Sequence, residues 1–164
     1  MLFDTNVWSR LVLGTGDRSR KVQADLAELL AKYPRATRAT SAICVAECLV
    51  AARRLSDEHE RAQAEAAFMA HFANPMLMVV DVTQPLLDHA ATLRAEALRR
   101  AAGAGGGVAG ADGGKLKLPD AIIAASCFDF DAHAILVTEN VRDFQFEESG
   151  VWHGVAGLVV EKVG

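Results

Sequence analysis

The chain alternates: short runs of apolar and β-branched residues give way, repeatedly, to longer segments whose apolar residues recur at helical spacing. Met1 to Asp4 reads as a very short strand that ends on an acid. After a turn at Gly14-Thr15-Gly16-Asp17, the residues Val22, Leu26, Leu29 and Leu30 mark a helix with Asp17 as its cap, and Pro34 closes that region. Arg38 to Ser41 reads as a strand leading into an apolar helix, Ile43 to Arg54. Ser56, Asp57 and Glu58 start another helix that runs to about His71. Met76 to Val80 is a strand, and Thr83 then caps a helix to Arg100 with Pro85 in its first turn. Pro119 opens a helix through Cys127, followed by a strand at Ala134 to Val137 and a last strand within 155–160. Strands alternating with helices predict an α/β fold, a three-layer α/β/α sandwich around a mostly parallel sheet of four to five strands. A length of 164 residues, 51% of them apolar, suits one domain over 1–164 with one core.

Residues 103–114 form the single low-complexity stretch, and no internal repeat is visible. Gly105, Gly107 and Gly110 satisfy the spacing of a dinucleotide-binding loop, but that loop needs a strand before it and a helix directly after it. A phosphate loop ending at Gly114-Lys115 would need glycine at 109 and a hydroxyl residue at 116, where Ala109 and Leu116 stand. A flexible connecting loop is the expectation. Cys44, Cys48 and Cys127 offer neither a disulfide framework nor zinc-finger spacing, so buried reduced thiols are expected. No secretory leader and no bilayer-length apolar run is read, which together predict a cytoplasmic protein without a membrane contact. The net charge of -4 argues against nonspecific coating of nucleic acid. It leaves room for an enzyme whose positive charge arrives as a metal ion, and basic clusters remain at Arg35/Arg38, Arg53/Arg54, Arg99/Arg100 and Lys115/Lys117.

Solitary acids in apolar surroundings carry the chemistry. Asp4 ends Met-Leu-Phe, Glu47 is the sole charge between Ser41 and Ala52, and Asp120 is the sole charge between Leu118 and Ser126. A carboxylate so placed is costly unless it is paired, hydrogen-bonded or bound to metal. One such acid is as well explained by a buried ion pair or a helix cap; three together are harder to explain that way. In an open parallel sheet, sites form beyond the carboxyl ends of the strands. Asp4, Asp120 and the stretch Thr138, Glu139, Asn140 and Asp143 all fall at that edge, and Glu47 leans back over it. Asp129 and Asp131, at the far end of a helix of about ten residues and roughly 15 Å away, belong to the opposite edge. Clustered carboxylates repel by about 4 kcal/mol per pair at roughly 4 Å in a surface-like dielectric, so protons or a cation must relieve them. All-oxygen ligands favour Mg²⁺ or Mn²⁺ over zinc. The five histidines, at 59, 71, 89, 133 and 153, are dispersed and read as packing or surface residues.

Phe-Asp-Thr-Asn-Val at 3–7, Ala-Glu at 46–47, Pro-Asp-Ala-Ile-Ile-Ala-Ala at 119–125 and Val-Thr-Glu-Asn-Val-Arg-Asp-Phe at 137–144 resemble the PIN-domain ribonucleases, closest to the VapC-type toxins of bacterial toxin–antitoxin pairs. Each motif is short; their ordered set spans nearly the whole chain. The resemblance implies a PIN-like fold, Asp4 and Asp120 as direct ligands of Mg²⁺ or Mn²⁺, and Glu47 and Asp143 acting directly or through water. It implies metal-activated water attacking phosphorus in line and leaving a 5′-phosphate on RNA. Asn6 and Thr138 match positions that orient the acids, and Asn140 stands where some relatives carry another acid. It further implies a small antitoxin partner and a homodimer, with helical faces around Leu49, Val50, Phe68 and Phe72 as candidates for the antitoxin contact.

A phosphate-accepting receiver domain also groups acids around Mg²⁺. It needs an acid pair after the first strand and a lysine after a late one, where this chain has Thr5-Asn6 and Thr138-Glu139-Asn140. A PIN-like scaffold that binds RNA or protein without cutting is the other alternative. Relatives that cut DNA flaps are larger and carry extra acids.

Overall fold

The computed structural model describes residues 1–103, 116–148, 151–154 and 157–164. The expected glycine-rich loop therefore lies, apart from Gly103, outside the described residues. Five strands, β1 (Leu2–Phe3), β2 (Arg38–Ser41), β3 (Leu77–Val80), β4 (Ile135–Thr138) and β7 (Val159–Lys162), form one sheet in the order β3-β2-β1-β4-β7. Every pairing in it is parallel. Among the described residues six helices connect and cover it: α1 (Thr5–Val12), α2 (Gly16–Lys32), α3 (Ala42–Arg53), α4 (Glu58–Phe72), α5 (Gln84–Gly103) and α6 (Leu118–Phe130). A short 3₁₀ turn, Val141–Asp143, follows β4.

β1 has only two residues, both buried, yet it pairs on both sides: Leu2 with Ala39 and Leu136, Phe3 with Thr40 and Val137. A strand so short holds its place because it is fully enclosed. The backbone N–H of Asp4 extends the pairing by donating to the Val137 carbonyl at 3.0 Å. From β1 the chain builds outward through β2 and β3 on one side, and places β4 on the other. The β1/β4 boundary is thus the switch point of the sheet, where an open α/β fold leaves a crevice beyond the strand ends. Leu2, Val7, Phe68, Leu93, Ile123, Leu136 and Phe144 are among the fully enclosed side chains of the core.

Several elements differ from the sequence expectation. Helix α1 was not anticipated, because Asp4-Thr5-Asn6 reads as the polar end of a strand. Its apolar positions Val7, Trp8, Leu11 and Val12 do recur at helical spacing, and Asp4 caps it by accepting from the Thr5 N–H at 2.6 Å. Asp17 is not the cap of α2. The helix begins one residue earlier, at Gly16 with φ +80°, and Asp17 sits in its first turn against Arg20. The last strand lies at Val159–Lys162, after Gly157 with φ +83°, so it starts later than 155. A two-stranded antiparallel ribbon, β5 (Gln145–Glu148) with β6 (Val151–Gly154), was not expected. Helix α6 continues past Cys127 to Phe130, which puts Asp129 in its last turn. Phe68 and Phe72 are core residues rather than a docking face: Phe72 meets the Trp8 ring edge-on at 5.5 Å and Phe68 is fully enclosed.

Candidate functional site

Asp4 stands at the switch point with 4% of its surface exposed. Three donors hold its carboxylate: the Thr5 N–H on Oδ1, and the Asn6 amide and the Thr138 hydroxyl on Oδ2, each at 2.6 Å. The Asn6 amide also donates to Thr138 Oγ1 at 2.9 Å, and Asn6 Oδ1 accepts from the Glu139 N–H at 2.9 Å. One hydroxyl and one amide therefore tie the end of β1 to the end of β4. Burial raises the Asp4 carboxyl to about 6, with the nearby Glu47 charge adding to the rise and the three donors opposing it.

Three more acids reach the same place from separate elements. Glu47 projects from α3 and accepts a hydrogen bond from the Thr5 hydroxyl. Asp120 lies in the first turn of α6, directly after Pro119. Asp143 ends the 3₁₀ turn and accepts from the Asn140 amide. All four line a groove of about 470 Å³, together with Thr5, Asn6, Ser9, Arg10, Glu139 and Asn140. Asp120 carries the clearest mark of an incomplete environment. Its Oδ2 is buried and has no hydrogen-bond partner among the described residues. Burial first, then the charges of Asp143 and Asp4, raise this carboxyl to about 6 as well, against a lowering by Lys117.

The sheet edge thus gathers the seven residues singled out in the sequence: Asp4, Glu47, Asp120 and Asp143 line the groove with Asn6 and Asn140, and Thr138 is buried directly beneath Asp4. Asp129 and Asp131 are not part of the groove lining. Among the histidines with described side chains, His71 packs beside Trp8 and His89 beside Phe128, and none lines the groove. Cys44, Cys48 and Cys127 are free and buried, and burial pushes each thiol up to about 12. Sequence reasoning missed Thr5, Arg10 and the pairing role of Glu139. Thr5 was legible as a hydroxyl inside Asp-Thr-Asn, whereas Arg10 becomes a groove residue only once α1 is recognised.

Among the described residues, no three His, Cys, Asp or Glu side chains form a ready-made cage for an ion. The donor set nevertheless fits a hard divalent cation. Mg²⁺ keeps several of its waters and is commonly held by one or two carboxylates, so it asks for no such cage. An orphaned buried oxygen on Asp120 and two carboxyls that resist ionisation are what a missing positive charge would leave behind.

Fold and groove define an α/β protein whose parallel sheet presents four carboxylates, from four separate segments, at its switch point. Residues 1–146 match the PIN domain, and the chain belongs to that family. Its fold is that of several solved toxin–antitoxin complexes. VapBC2 from Rickettsia felis bound to a promoter DNA fragment aligns with TM-score 0.61 and 19% identity, over 99% of this chain and 98% of that one. A toxin–antitoxin complex from Klebsiella pneumoniae aligns with TM-score 0.54 and 25% identity, over 87% and 88%. FitAcB from Neisseria gonorrhoeae aligns with TM-score 0.60 and 18% identity, over 97% and 94%. Comparison with curated protein sequences gives no match.

Proposed function

We propose that this chain is a metal-dependent endoribonuclease and the toxin of a toxin–antitoxin pair. The observation that carries the reading is the groove itself: four acids drawn from positions 4, 47, 120 and 143, two of them raised to about 6 and one with an unpartnered buried oxygen. Membership of the PIN family, whose domains are generally nucleases, supports it, and so does the likeness of fold to toxin–antitoxin complexes.

In this reading Asp4, Glu47, Asp120 and Asp143 hold Mg²⁺ or Mn²⁺, which supplies Lewis acidity and water activation at phosphorus. The chain's own residues fix the geometry. Thr138 and Asn6 lock the Asp4 carboxylate and leave its Oδ1, which accepts only from Thr5, the freer of its two oxygens. Thr5 turns Glu47 toward the groove, and Asn140 does the same for Asp143. Among the described residues no histidine pair lines the groove to act through the 2′-hydroxyl of RNA, so in this reading proton handling falls to the acids. The partners in this reading are an RNA substrate, a small antitoxin that blocks the groove with a basic side chain, and a second copy of the chain in a homodimer.

Purified protein should cut RNA with Mg²⁺ or Mn²⁺, stop in EDTA, and lose activity by orders of magnitude in Asp120→Asn. Undiminished cutting in chelator would overturn the mechanism. Metal-dependent RNA binding without any cutting would favour the non-cleaving scaffold instead.

A further inference from the structure

Glu139 is a carboxylate that the acidic groove does not explain. Its side chain is 6% exposed and is gripped from two sides, by Arg10 Nε at 3.0 Å and Arg18 Nε at 2.8 Å. Its backbone N–H donates to Asn6, so the pair of arginines is tied rigidly to the residues that orient Asp4. Glu139 also stands in the wall between two cavities. One is the acidic groove, which Arg10 lines as well. The other, of about 380 Å³, is lined by Arg18, Lys21 and Lys162 together with Asp17, Val163 and Gly164. Across this single residue the lining passes from four carboxylates and one arginine to Arg18, Lys162, Asp17 and a Lys21 paired with Asp25.

Each arginine meets Glu139 through Nε alone. The hydrogen bonds of the described residues leave the terminal nitrogens of both guanidinium groups uncommitted. Two cations on one carboxylate leave a net positive charge, and the shared anion keeps the two guanidiniums from repelling each other. A planar guanidinium already fixed at Nε loses little further freedom when its terminal N–H groups donate to a phosphate. A polyanion lying over the four acids would need this compensation on its flank.

We propose that Arg10 and Arg18, spaced and aimed by Glu139, each grip one backbone phosphate on the flank of the one being cleaved, Arg10 at the groove and Arg18 over the neighbouring cavity. The ligand is single-stranded RNA gripped through its phosphates without regard to base, and the strand leaves the groove over Lys162. The inference rests on the nuclease reading for its substrate, and it predicts binding energy that exists without metal.

The test uses the intact chain in EDTA at low salt with a short fluorescent single-stranded RNA, followed by anisotropy across a salt series. Arg10→Ala and Arg18→Ala should each weaken binding several-fold and flatten the slope of log affinity against log salt by about 0.7, the value for one phosphate contact on a single strand. Arg53→Ala, which removes the same charge from an arginine paired with Glu65, should leave the slope unchanged. Arg10→Lys and Arg18→Lys should keep the slope and lose part of the affinity, because charge survives and the fork does not. Melting curves identify any variant that fails to fold, in which case the lysine variants carry the test. Equal slopes in wild type and in both alanine variants, or no binding by the wild type, would overturn the clamp. With metal, cutting that needs Asp120 but whose KM ignores both arginines would overturn the clamp and leave the nuclease standing. Binding that needs both arginines, in a wild type that never cuts, would do the reverse.

Discussion

At neutral pH the carboxyl of Asp120 meets two costs at once, a buried oxygen without a donor and the charges of Asp143 and Asp4 nearby. Asp4 meets the first in a different way, since it is buried more deeply but held by three donors. Both carboxyls stay protonated in the fold up to about pH 6, whereas unfolded they release protons near 3.8. Between those values the folded state binds more protons than the unfolded one. The metal-free protein therefore loses stability as pH rises through about 4 to 6, and the contribution from Asp4 alone is on the order of 3 kcal/mol. Chelated protein should melt higher at pH 4.5 than at pH 7 so far as these groups decide, and added Mg²⁺ should narrow the gap. The amide variants should separate the two acids. Asp120→Asn removes the charge from a buried position that already lacks a partner and breaks no hydrogen bond there, so the metal-free melting temperature at pH 7 should rise. Asp4→Asn turns its NH₂ toward either the Thr5 N–H or the Asn6 amide, both of them donors, and a buried donor left unpaired costs about 1–3 kcal/mol, which offsets the gain. A clear rise in the melting temperature of Asp4→Asn would mean that those donors rearrange freely. The acids themselves were legible because a charge in an apolar run is conspicuous. Their protonation was not, because it depends on which donors the fold turns toward each one.

Among the elements, α1 and its turn into α2 are what the sequence concealed. The segment's polar start matched the end of a strand, and its helical spacing spans only Val7 to Val12, too short to stand out. The antiparallel ribbon β5–β6 was hidden for another reason: its strands pair with each other and not with the main sheet, so the alternation and βαβ logic never touched it. β3 and β4 were legible because Leu-Met-Val-Val and Ile-Leu-Val-Thr are short apolar, β-branched runs between helical segments, whereas Arg-Ala-Thr-Ser in β2 is legible mainly from the helix that follows it. The α1–α2 turn has its own test at Gly14. A Cβ there would fall 1.9 Å from Ser19 Oγ and 2.5 Å from the Arg10 carbonyl. Gly14→Ala should therefore destabilise the fold by about 1–3 kcal/mol and displace Arg10. Urea melts should show the first effect, and a raised KM for RNA the second. An alanine variant with wild-type stability would mean that α1 and α2 pack more loosely than described.

At the scale of the molecule, among the described residues no helix is long and apolar enough to cross a membrane. The exposed apolar side chains include Val50 and Met69, at 55% and 51%, on the outer faces of α3 and α4. With Phe68 and Phe72 withdrawn into the core, Val50 and Met69 take their place as the surface against which an antitoxin contact is best probed. Expression of the chain alone should slow bacterial growth, and Asp4→Asn or Asp120→Asn should relieve it. Co-expression with a cognate antitoxin should restore growth, and charged substitutions at Val50 and Met69 should weaken that rescue. Wild-type expression that proves harmless without an inhibitor would end the toxin reading and leave the nuclease reading intact. Because β1 lies at the centre of the sheet, the groove has a birth order as well as a shape. Leu2 and Phe3 leave the ribosome long before the strand that completes their pairing, which is made more than a hundred residues later, and Asp143 comes later still. Loop closure over such a span precedes any reward from the contact. A nascent chain halted short of Ile135 would hold Asp4 without its Thr138 and Asp120 without its Asp143, so a stalled or truncated product would carry the acids without the groove that gathers them.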